Sequence, residues 1–222
     1  FSRSPDALRV TIAREFAPDV LGRVQDLIGR VVGQYGDDSV QQLVPIQFVV
    51  EGASNLLTKL LEWSRLMSYL EQSTRYIPFD QRDATGNFKY YVPDELSDEL
   101  RAEYRSTMDE IFATYSELIR VIQAHVADTS AGQRGNMTET AWNNATRAQA
   151  LDAVCTLLPV ATRSSVGFVG NAQSLENLYY NLKMSGLEEA SQTANALLSQ
   201  ARRLPYLEPF VRRADLPDRG AA

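Results

Sequence analysis

The stretch that decides the fold is Glu62–Tyr76, which reads EWSRLMSYLEQSTRY. Its first residues continue an amphipathic helix, and the rest is a loop rich in side chains that form hydrogen bonds. The guanidinium of Arg75 can hold a phosphate or carboxylate through two parallel hydrogen bonds. The hydroxyls of Ser73 and Thr74 donate and accept, and the Glu71 carboxylate accepts from an imide N–H or a ribose hydroxyl. This composition fits the binding of an anionic nucleotide, and it also fits a solvated surface loop.

Glu62–Tyr76 resembles the signature of the flavin-dependent thymidylate synthases, the ThyX family, which begins with Arg-His-Arg and ends with Ser-x-Arg-Tyr. Aligned without a gap, the residues that match this signature are Arg65, Ser68, Ser73, Arg75 and Tyr76. Glu71 falls where the family has a glutamate. Trp63 and Ser64 stand in place of the first arginine and the histidine.

Two further segments resemble ThyX elements and occur in the family's order. Tyr35–Val40 reads YGDDSV and resembles Gly-His-[Glu/Asp]-Ser-Val, with Ser39 at the hydroxyl position that lies near the flavin. The alternative for this segment is a helix end followed by an Asp-rich turn.

The other segment starts at Leu157-Leu158-Pro159 and continues to NAQSLENL at residues 171–178. It resembles the family's Leu-Pro followed by Asn-x-Arg-Ser-Leu-x-Asn. Gln173 stands where the family has an arginine. The alternative is a plain N-capped amphipathic helix. The residues that match are Asn171, Ser174, Leu175 and Asn177.

The resemblance implies an α+β domain of the ThyX type over residues 1–222, with long helices packed on a small, mostly antiparallel sheet. It implies reductive methylation at C5 of a uridylate, of the dUMP to dTMP type. Methylenetetrahydrofolate would supply the carbon, reduced FAD the hydride, and NADPH the electrons for the flavin. It further implies a homotetramer whose subunits share the sites. Two alternatives stay open: a degenerate ThyX-like domain with a binding or assembly role, as part of a longer chain, and a homologue that acts on UMP in nucleoside modification.

The site residues that the resemblance implies form three groups. For the nucleotide they are Glu71, Gln72, Ser73, Thr74 and Arg75. For the flavin they are Ser39, Ser64, Arg65, Glu71, Asn171, Gln173 and Asn177. For catalysis they are Arg75 and Lys183. Lys183 is included because it follows Leu182, which stands where the family has an arginine that polarises the pyrimidine.

The departures from the family pattern fall on positively charged positions. Trp63 replaces an arginine of the signature, and Cys155 stands four residues before Pro159, where the family has an arginine near the substrate. A phosphate that loses such charge-assisted hydrogen bonds binds less tightly. Cys155 itself is expected on the apolar side of a helix and not as a nucleophile, because no histidine or arginine stands beside it in sequence.

The composition bounds the classes of function. The chain has 222 residues, a hydrophobic content of 44% and a formal net charge of −6, so it can build a core and lacks the basic character typical of nucleic-acid-binding proteins. A single cysteine allows no intramolecular disulfide and favours a reducing compartment, so we expect a cytoplasmic location. No stretch approaches the length of a membrane span. His125 is the only histidine, which disfavours a Ser-His-Asp triad, and we expect no metal site.

Hydrophobic periodicity and turn residues predict the secondary structure. Helices are expected over residues 18–34, 51–66, 94–126, 138–158, 172–184 and 187–203. Strands are expected over residues 44–50, 88–92 and 160–169. Gly170 is expected to end the last strand, and Asn171 to cap the helix that follows. Few strands among irregularly placed helices indicate an α+β fold.

Overall fold

The computed structural model describes the backbone of residues 38–215 and all of their side chains except those of residues 38–40, 206 and 209. In this part of the chain the strands are β1 (Pro45–Ser54), β2 (Ser68–Glu71) and β3 (Arg163–Asn171). The α-helices are α1 (Asn55–Glu62), α2 (Asp98–Thr129), α3 (Glu139–Val154), α4 (Ala172–Met184), α5 (Glu188–Ala201) and α6 (Glu208–Ala214). Short 3-10 helices cover Asp38–Leu43, Ala131–Gln133, Cys155–Leu157 and Pro205–Leu207. The helix predicted over residues 18–34 and the start of the loop at residues 35–37 lie outside the described residues.

The three strands form one antiparallel sheet in the order β1–β3–β2. The end of β1 meets the start of β3, because the Asn55 N–H donates to the carbonyl of Thr162 at 2.9 Å. Long helices beside this small antiparallel sheet confirm the predicted α+β class. One face of β3 is buried, as the period of two along a strand requires. The buried side chains of β3 are Ser164, Val166 and Phe168.

The chain divides into two compact units, which we name for their place in the sequence. The central unit comprises Val49–Trp63 and Tyr69–Phe168. Its helices α2 and α3 pack against each other. Its core consists of buried aromatic and aliphatic side chains, and burying one such large side chain stabilises the fold by about 1.5–3 kcal/mol. The core members are Phe79, Phe88, Tyr90, Phe112, Tyr115, Ile119, Leu151, Val154 and Ala161.

The terminal unit comprises, among the described residues, 38–48, 64–68 and 169–215. In it α4 packs against both α5 and α6. Glu176 of α4 and Arg213 of α6 form an ion pair at 2.5 Å, with side chains that are 9% and 11% exposed. Each charge is thereby compensated where water is largely absent. The apolar side of α4 is buried at Leu175, Leu178 and Leu182.

The helix predicted over residues 51–66 is shorter at both ends. β1 continues to Ser54, whose hydroxyl accepts a hydrogen bond from the N–H of Leu57 at 3.0 Å, so α1 starts at Asn55. At the other end Leu66 has a φ of 61°, a left-handed conformation that an α-helix does not contain. The loop predicted after this helix contains β2, a strand missed by sequence analysis because only four residues pair.

The other sequence predictions differ from the structure mainly at element ends. The strand predicted over residues 88–92 is only a single bridge between Tyr90 and Thr162. The helix predicted from residue 94 starts at Asp98, because the Ser97 hydroxyl accepts from the N–H of Leu100 at 3.4 Å and caps it there. The helix predicted over residues 138–158 ends at Val154 and continues as a 3-10 turn. Helix α6 was not predicted.

Gly170 does not end β3, which continues to Asn171. A Cβ atom at position 170 would lie 2.8 Å from Cγ of Met67, so the glycine marks a close approach of two chain segments and not a break. Asn171 caps α4 as predicted, since its side chain accepts from the N–H of Ser174. The assignment of residues 1–222 to one domain stays a prediction. None of the helices between residues 38 and 215 combines the length and the apolar character needed to cross a bilayer.

Candidate functional site

The turn after β2, at residues 71–76 of the central unit, is held by the backbone. The N–H of Gln72 donates to the carbonyl of Ser165 at 2.9 Å, and the hydroxyl of Ser164 donates to the carbonyl of Gln72 at 3.2 Å. Gln72 is thereby anchored to β3, and its side chain is half-buried like that of Thr74. The turn that carries the predicted nucleotide residues is therefore a fixed extension of the sheet.

Ser73 shapes the tip of this turn. Its hydroxyl accepts from the N–H of Arg75 at 3.2 Å, and its carbonyl accepts from the N–H of Ile77 at 3.2 Å. The Ser73 hydroxyl thus has a local backbone partner, which is common for serine in turns. Its predicted role toward a nucleotide would be added to this structural one.

Arg75 is held through both its backbone and its side chain. Its side chain is 61% exposed, and its Nε–H donates to a carboxylate oxygen of Asp152, which lies in the last turn of α3. This hydrogen bond raises the pKa of the Arg75 guanidinium and lowers the pKa of the Asp152 carboxyl. Within residues 38–215 no other hydrogen bond reaches the guanidinium, so its two terminal nitrogens have no acceptor in this part of the chain. This edge can receive an oxyanion.

Glu71 is bound by a residue that sequence analysis did not select. Nζ of Lys59 donates to Glu71 at 2.8 Å and to Glu62 at 2.8 Å. Hydrogen bonds to Glu62 and then to Glu71 raise the pKa of the Lys59 ammonium. Lys59 lies four residues, or one helical turn, before Trp63, which stands at the position of a lost family arginine. This i, i+4 spacing puts Lys59 on the same helix face, and it could have identified Lys59 from the sequence. Asp152 gave no comparable signal, since it lies 77 residues from its partner in sequence.

Cys155 is not on the apolar side of a helix as expected. It is half-buried at the C-terminal end of α3, where its thiol donates to the carbonyl of Asp152 at 3.1 Å. It also lies close enough to Arg75 to interact with it electrostatically. The position at which the resemblance places a family arginine is therefore near the guanidinium of the nucleotide turn.

The predicted flavin residues at the start of α4 belong to the terminal unit. Oδ1 of Asn171 accepts from the N–H of Ser174 at 2.9 Å and lies 3.0 Å from the Ser174 hydroxyl. Oε1 of Gln173 accepts from Nε2 of Gln42 at 2.9 Å, so Gln42 joins this cluster without having been predicted. Asn177 is exposed, and it shares a helix face with Gln173 because the two are four residues apart.

Three other flavin candidates lie in the same unit. Ser39 is in the 3-10 helix Asp38–Leu43, but its side chain is outside the described part. Ser64 is 8% exposed, whereas Arg65 is exposed and has no ion pair among residues 38–215. In the same 3-10 helix the amide of Gln41 is 1% exposed, and neither of its polar atoms has a hydrogen-bond partner in the part of the chain described.

Lys183 is held against the neighbouring helix. Its Nζ donates to Ser191 at 2.9 Å and to Asn195 at 3.3 Å, both on α5. Leu182, which stands at the family's arginine position, is 1% exposed and part of the core. The structure thus gives Lys183 a helix-packing role, and its catalytic role stays a prediction. No group of three potential metal ligands is found among the described residues.

Comparison with known proteins identifies the family. Residues 4–205 match the sequence profile described as "Thymidylate synthase complementing protein". The chain belongs to the ThyX family. The predicted family membership is therefore confirmed, and the matched region contains every ThyX-like element recognised in the sequence.

Relatives of this ThyX chain fall into two kinds. A UPF0159 protein of Chlamydia muridarum is 31% identical over 97% of this chain and 43% of its own length. A flavin-dependent thymidylate synthase of Clostridium tetani is 24% identical over 86% of this chain and 71% of its own length. The chain spans less than half the length of the first curated relatives it matches.

A solved structure shows the same fold. ThyX from Helicobacter pylori, crystallised with FAD and dUMP, aligns with a TM-score of 0.55 over 87% of this chain and 83% of its own length. The two sequences are 17% identical in this alignment, so the likeness concerns the fold. The predicted ThyX-like architecture is confirmed by it.

Proposed function

We propose that this chain binds FAD and a uridylate and takes part in reductive methylation of the pyrimidine at C5, as in the dUMP to dTMP reaction. The observation that carries this proposal is the Arg75 guanidinium on a backbone-fixed turn, which is held through Nε and whose terminal nitrogens have no hydrogen-bond acceptor among residues 38–215. Arg75 would bind the nucleotide phosphate through those nitrogens. Clostridium tetani and Helicobacter pylori relatives named for thymidylate synthesis support the reaction type.

The other predicted nucleotide residues support the same assignment. Glu71 uses one carboxylate oxygen for Lys59, which leaves the second oxygen to accept from the pyrimidine imide or from a ribose hydroxyl. Gln72, Ser73 and Thr74 are half-buried beside it, so polar atoms near them are partly shielded from water. Shielding of this kind strengthens a hydrogen bond to a ligand.

The donor set of the terminal unit fits a flavin. The carbonyl oxygens of Asn171 and Gln173 are engaged within the protein, so their NH₂ groups are left as donors, and Asn177 offers another. Arg65 adds a positive charge that no carboxylate among residues 38–215 neutralises. Amide donors suit the carbonyl oxygens of an isoalloxazine ring, and a guanidinium suits a pyrophosphate. When bound, FAD would supply the hydride chemistry, with NADPH as reductant and methylenetetrahydrofolate as carbon donor.

We further propose a cytoplasmic homotetramer in which neighbouring copies complete the sites. Arg75 and Lys183 would act in catalysis, Arg75 by holding the phosphate end of the substrate and Lys183 by its charge near the end of α4. That role for Lys183 requires its ammonium to leave Ser191 and Asn195. No step is assigned to a protein nucleophile.

A second candidate is a degenerate ThyX-like domain that serves binding or assembly. The observation that favours it is the state of the charged groups: Lys59 is shared by two glutamates, and Lys183 is bound to α5. Trp63 and Cys155 stand at family arginine positions, so two positive charges of the family pattern are missing for a phosphate. A third candidate is methylation of UMP, a substrate that differs from dUMP only in the 2′-hydroxyl of its ribose.

The test starts with FAD uptake. Protein incubated with excess FAD and then desalted should retain visible absorbance near one flavin per chain. It is then incubated with methylenetetrahydrofolate, NADPH and either dUMP or UMP, and the nucleotide is analysed by mass spectrometry for a gain of one methyl group. Flavin retention without methylation favours the degenerate domain, and loss of all colour on desalting rejects the flavin assignment.

A further inference from the structure

The Asp152–Arg75 pair does more than join two surface side chains. We propose that Asp152 is a positioning residue that holds the guanidinium of Arg75 so that its terminal nitrogens meet an oxyanion, which under the proposed function is the phosphate of a uridylate. Asp152 would not touch the ligand. It would act only through the orientation of Arg75.

The first support is the way in which Arg75 is held. Its backbone N–H donates to the Ser73 hydroxyl, and its Nε–H donates to Asp152. The hydrogen bond at Nε leaves Nη1 and Nη2, the two nitrogens at the end of the planar group, without a hydrogen bond to any acceptor among residues 38–215. A guanidinium that is hydrogen-bonded at Nε points its two terminal nitrogens in one direction. Their parallel N–H donors match the geometry of a phosphate.

The second support is the local cost of placing Asp152 where it is. It lies in the last turn of α3, where the helix dipole disfavours a carboxylate, and that turn contains no basic residue to offset it. Its side chain is half exposed. A residue that is unfavourable in its own helix and paired with a residue 77 positions away is typical of a functional arrangement.

The third support comes from the surroundings of the pair. Cys155 donates its thiol to the Asp152 carbonyl at the start of the 3-10 turn that follows α3. Cys155 is also within electrostatic reach of Arg75. Asp152 and Cys155 therefore both lie at the end of α3 that is next to the Arg75 guanidinium.

The opposite role for Asp152 is that of a mask that competes with the phosphate for Arg75. A masking carboxylate would do best by taking two nitrogens of the guanidinium, as fork-shaped pairs do. Here only Nε is engaged. Both side chains are also well exposed, so the charge of Asp152 is screened and repels a bound phosphate weakly.

The experiment compares Asp152→Asn with Asp152→Ala by calorimetric titration of FAD-loaded protein with dUMP and with deoxyuridine. Asparagine keeps an oxygen that accepts from Nε of Arg75 but removes the charge, whereas alanine removes both. We expect Asp152→Asn to bind dUMP within about twofold of the native chain. We expect Asp152→Ala to bind dUMP about three- to tenfold more weakly, because a mobile Arg75 side chain must be ordered when the ligand binds. Deoxyuridine, which has no phosphate, should bind all three proteins equally.

The matched control is Asp215→Ala, which removes an exposed Asp–Arg pair with Arg202 in the terminal unit. It should leave dUMP affinity unchanged. If Asp152→Ala binds dUMP as tightly as the native chain or more tightly, the positioning role is wrong. Equal weakening toward dUMP and deoxyuridine would also reject it, because a general loss of structure explains that result.

A second measurement tests the positioning role of Asp152 without flavin and without a uridylate. Inorganic phosphate is titrated into flavin-free protein while the side-chain Nε–H signal of Arg75 is followed by nuclear magnetic resonance. Phosphate should shift this signal in the native chain and in Asp152→Asn, and about three- to tenfold more phosphate should be needed in Asp152→Ala. Such a result supports the inference even if no methylation is found. A signal that does not respond to phosphate in the native chain overturns it.

Discussion

The turn at residues 71–76 and the start of α4 at residues 171–177 treat charge in opposite ways. In the turn, each charged side chain has an opposite charge beside it, Arg75 with Asp152 and Glu71 with Lys59. At the start of α4 the family's arginine is replaced by Gln173, and neutral amides are joined to each other and to the helix N-terminus. Both regions therefore keep hydrogen-bonding capacity, but only the turn at residues 71–76 keeps it through ion pairs.

This difference predicts different sensitivities. Charge-assisted hydrogen bonds are stronger than neutral ones and respond to substitution and to salt. Amide clusters lose less when one member changes, because several weaker donors share the ligand. The central turn should therefore depend on single residues, and the α4 cluster should not.

The largest expected effect is that of Arg75→Ala on nucleotide binding. The phosphate would lose its charge-assisted contacts, and dUMP or UMP affinity should fall roughly tenfold to a hundredfold in a calorimetric titration of FAD-loaded protein. Arg75→Lys should recover only part of it, since an ammonium cannot reproduce the fork. Arg120→Ala, which removes an exposed arginine of α2, is the matched control. Unchanged affinity in Arg75→Ala would show that the phosphate binds elsewhere.

A smaller effect is expected from restoring the family charge in Gln173→Arg. A charged donor in place of a neutral one should tighten FAD binding about fivefold and make it weaker as salt is raised. Fluorescence titration with FAD at two salt concentrations measures both changes. Gln200→Arg adds the same charge to the exposed side of α5 and should change neither. An affinity for FAD that does not respond to Gln173→Arg would argue that α4 does not face the flavin.

Sequence analysis predicted the family and most elements of both units but not the partners of the charged residues. Helices α2 to α5 follow from periodic apolar residues and local caps, which a single sequence displays. The strand β2 was missed because four residues in a polar stretch form a strand only by pairing with β3. Asp152 and Gln42 were missed for a similar reason, since each meets its partner through the fold, across 77 and 131 residues of sequence.

The smallest expected effect concerns Lys59, whose substitution tests whether the ion pairs of the turn also stabilise the central unit. Lys59→Met removes the hydrogen bonds to Glu62 and Glu71. Because the lysine side chain is 61% exposed, the loss in free energy of unfolding should stay below about 1 kcal/mol at pH 8. Urea unfolding of the native chain and the variant measures this difference.

The pH dependence of that difference follows from the raised pKa of Lys59. A pKa that is higher in the folded state than its usual 10.5 means that the pairing stabilises the protein fully at pH values below 10.5. The stabilisation is lost as the pH rises through the folded-state pKa, where the ammonium loses its proton. The native chain and Lys59→Met should therefore differ at pH 8 and converge at the highest pH at which both still fold. Lys89→Met, at an exposed lysine of the same unit, corrects for the titration of other groups. A difference that stays constant above pH 10.5 would mean that lost packing of the lysine stem, and not its charge, explains the effect.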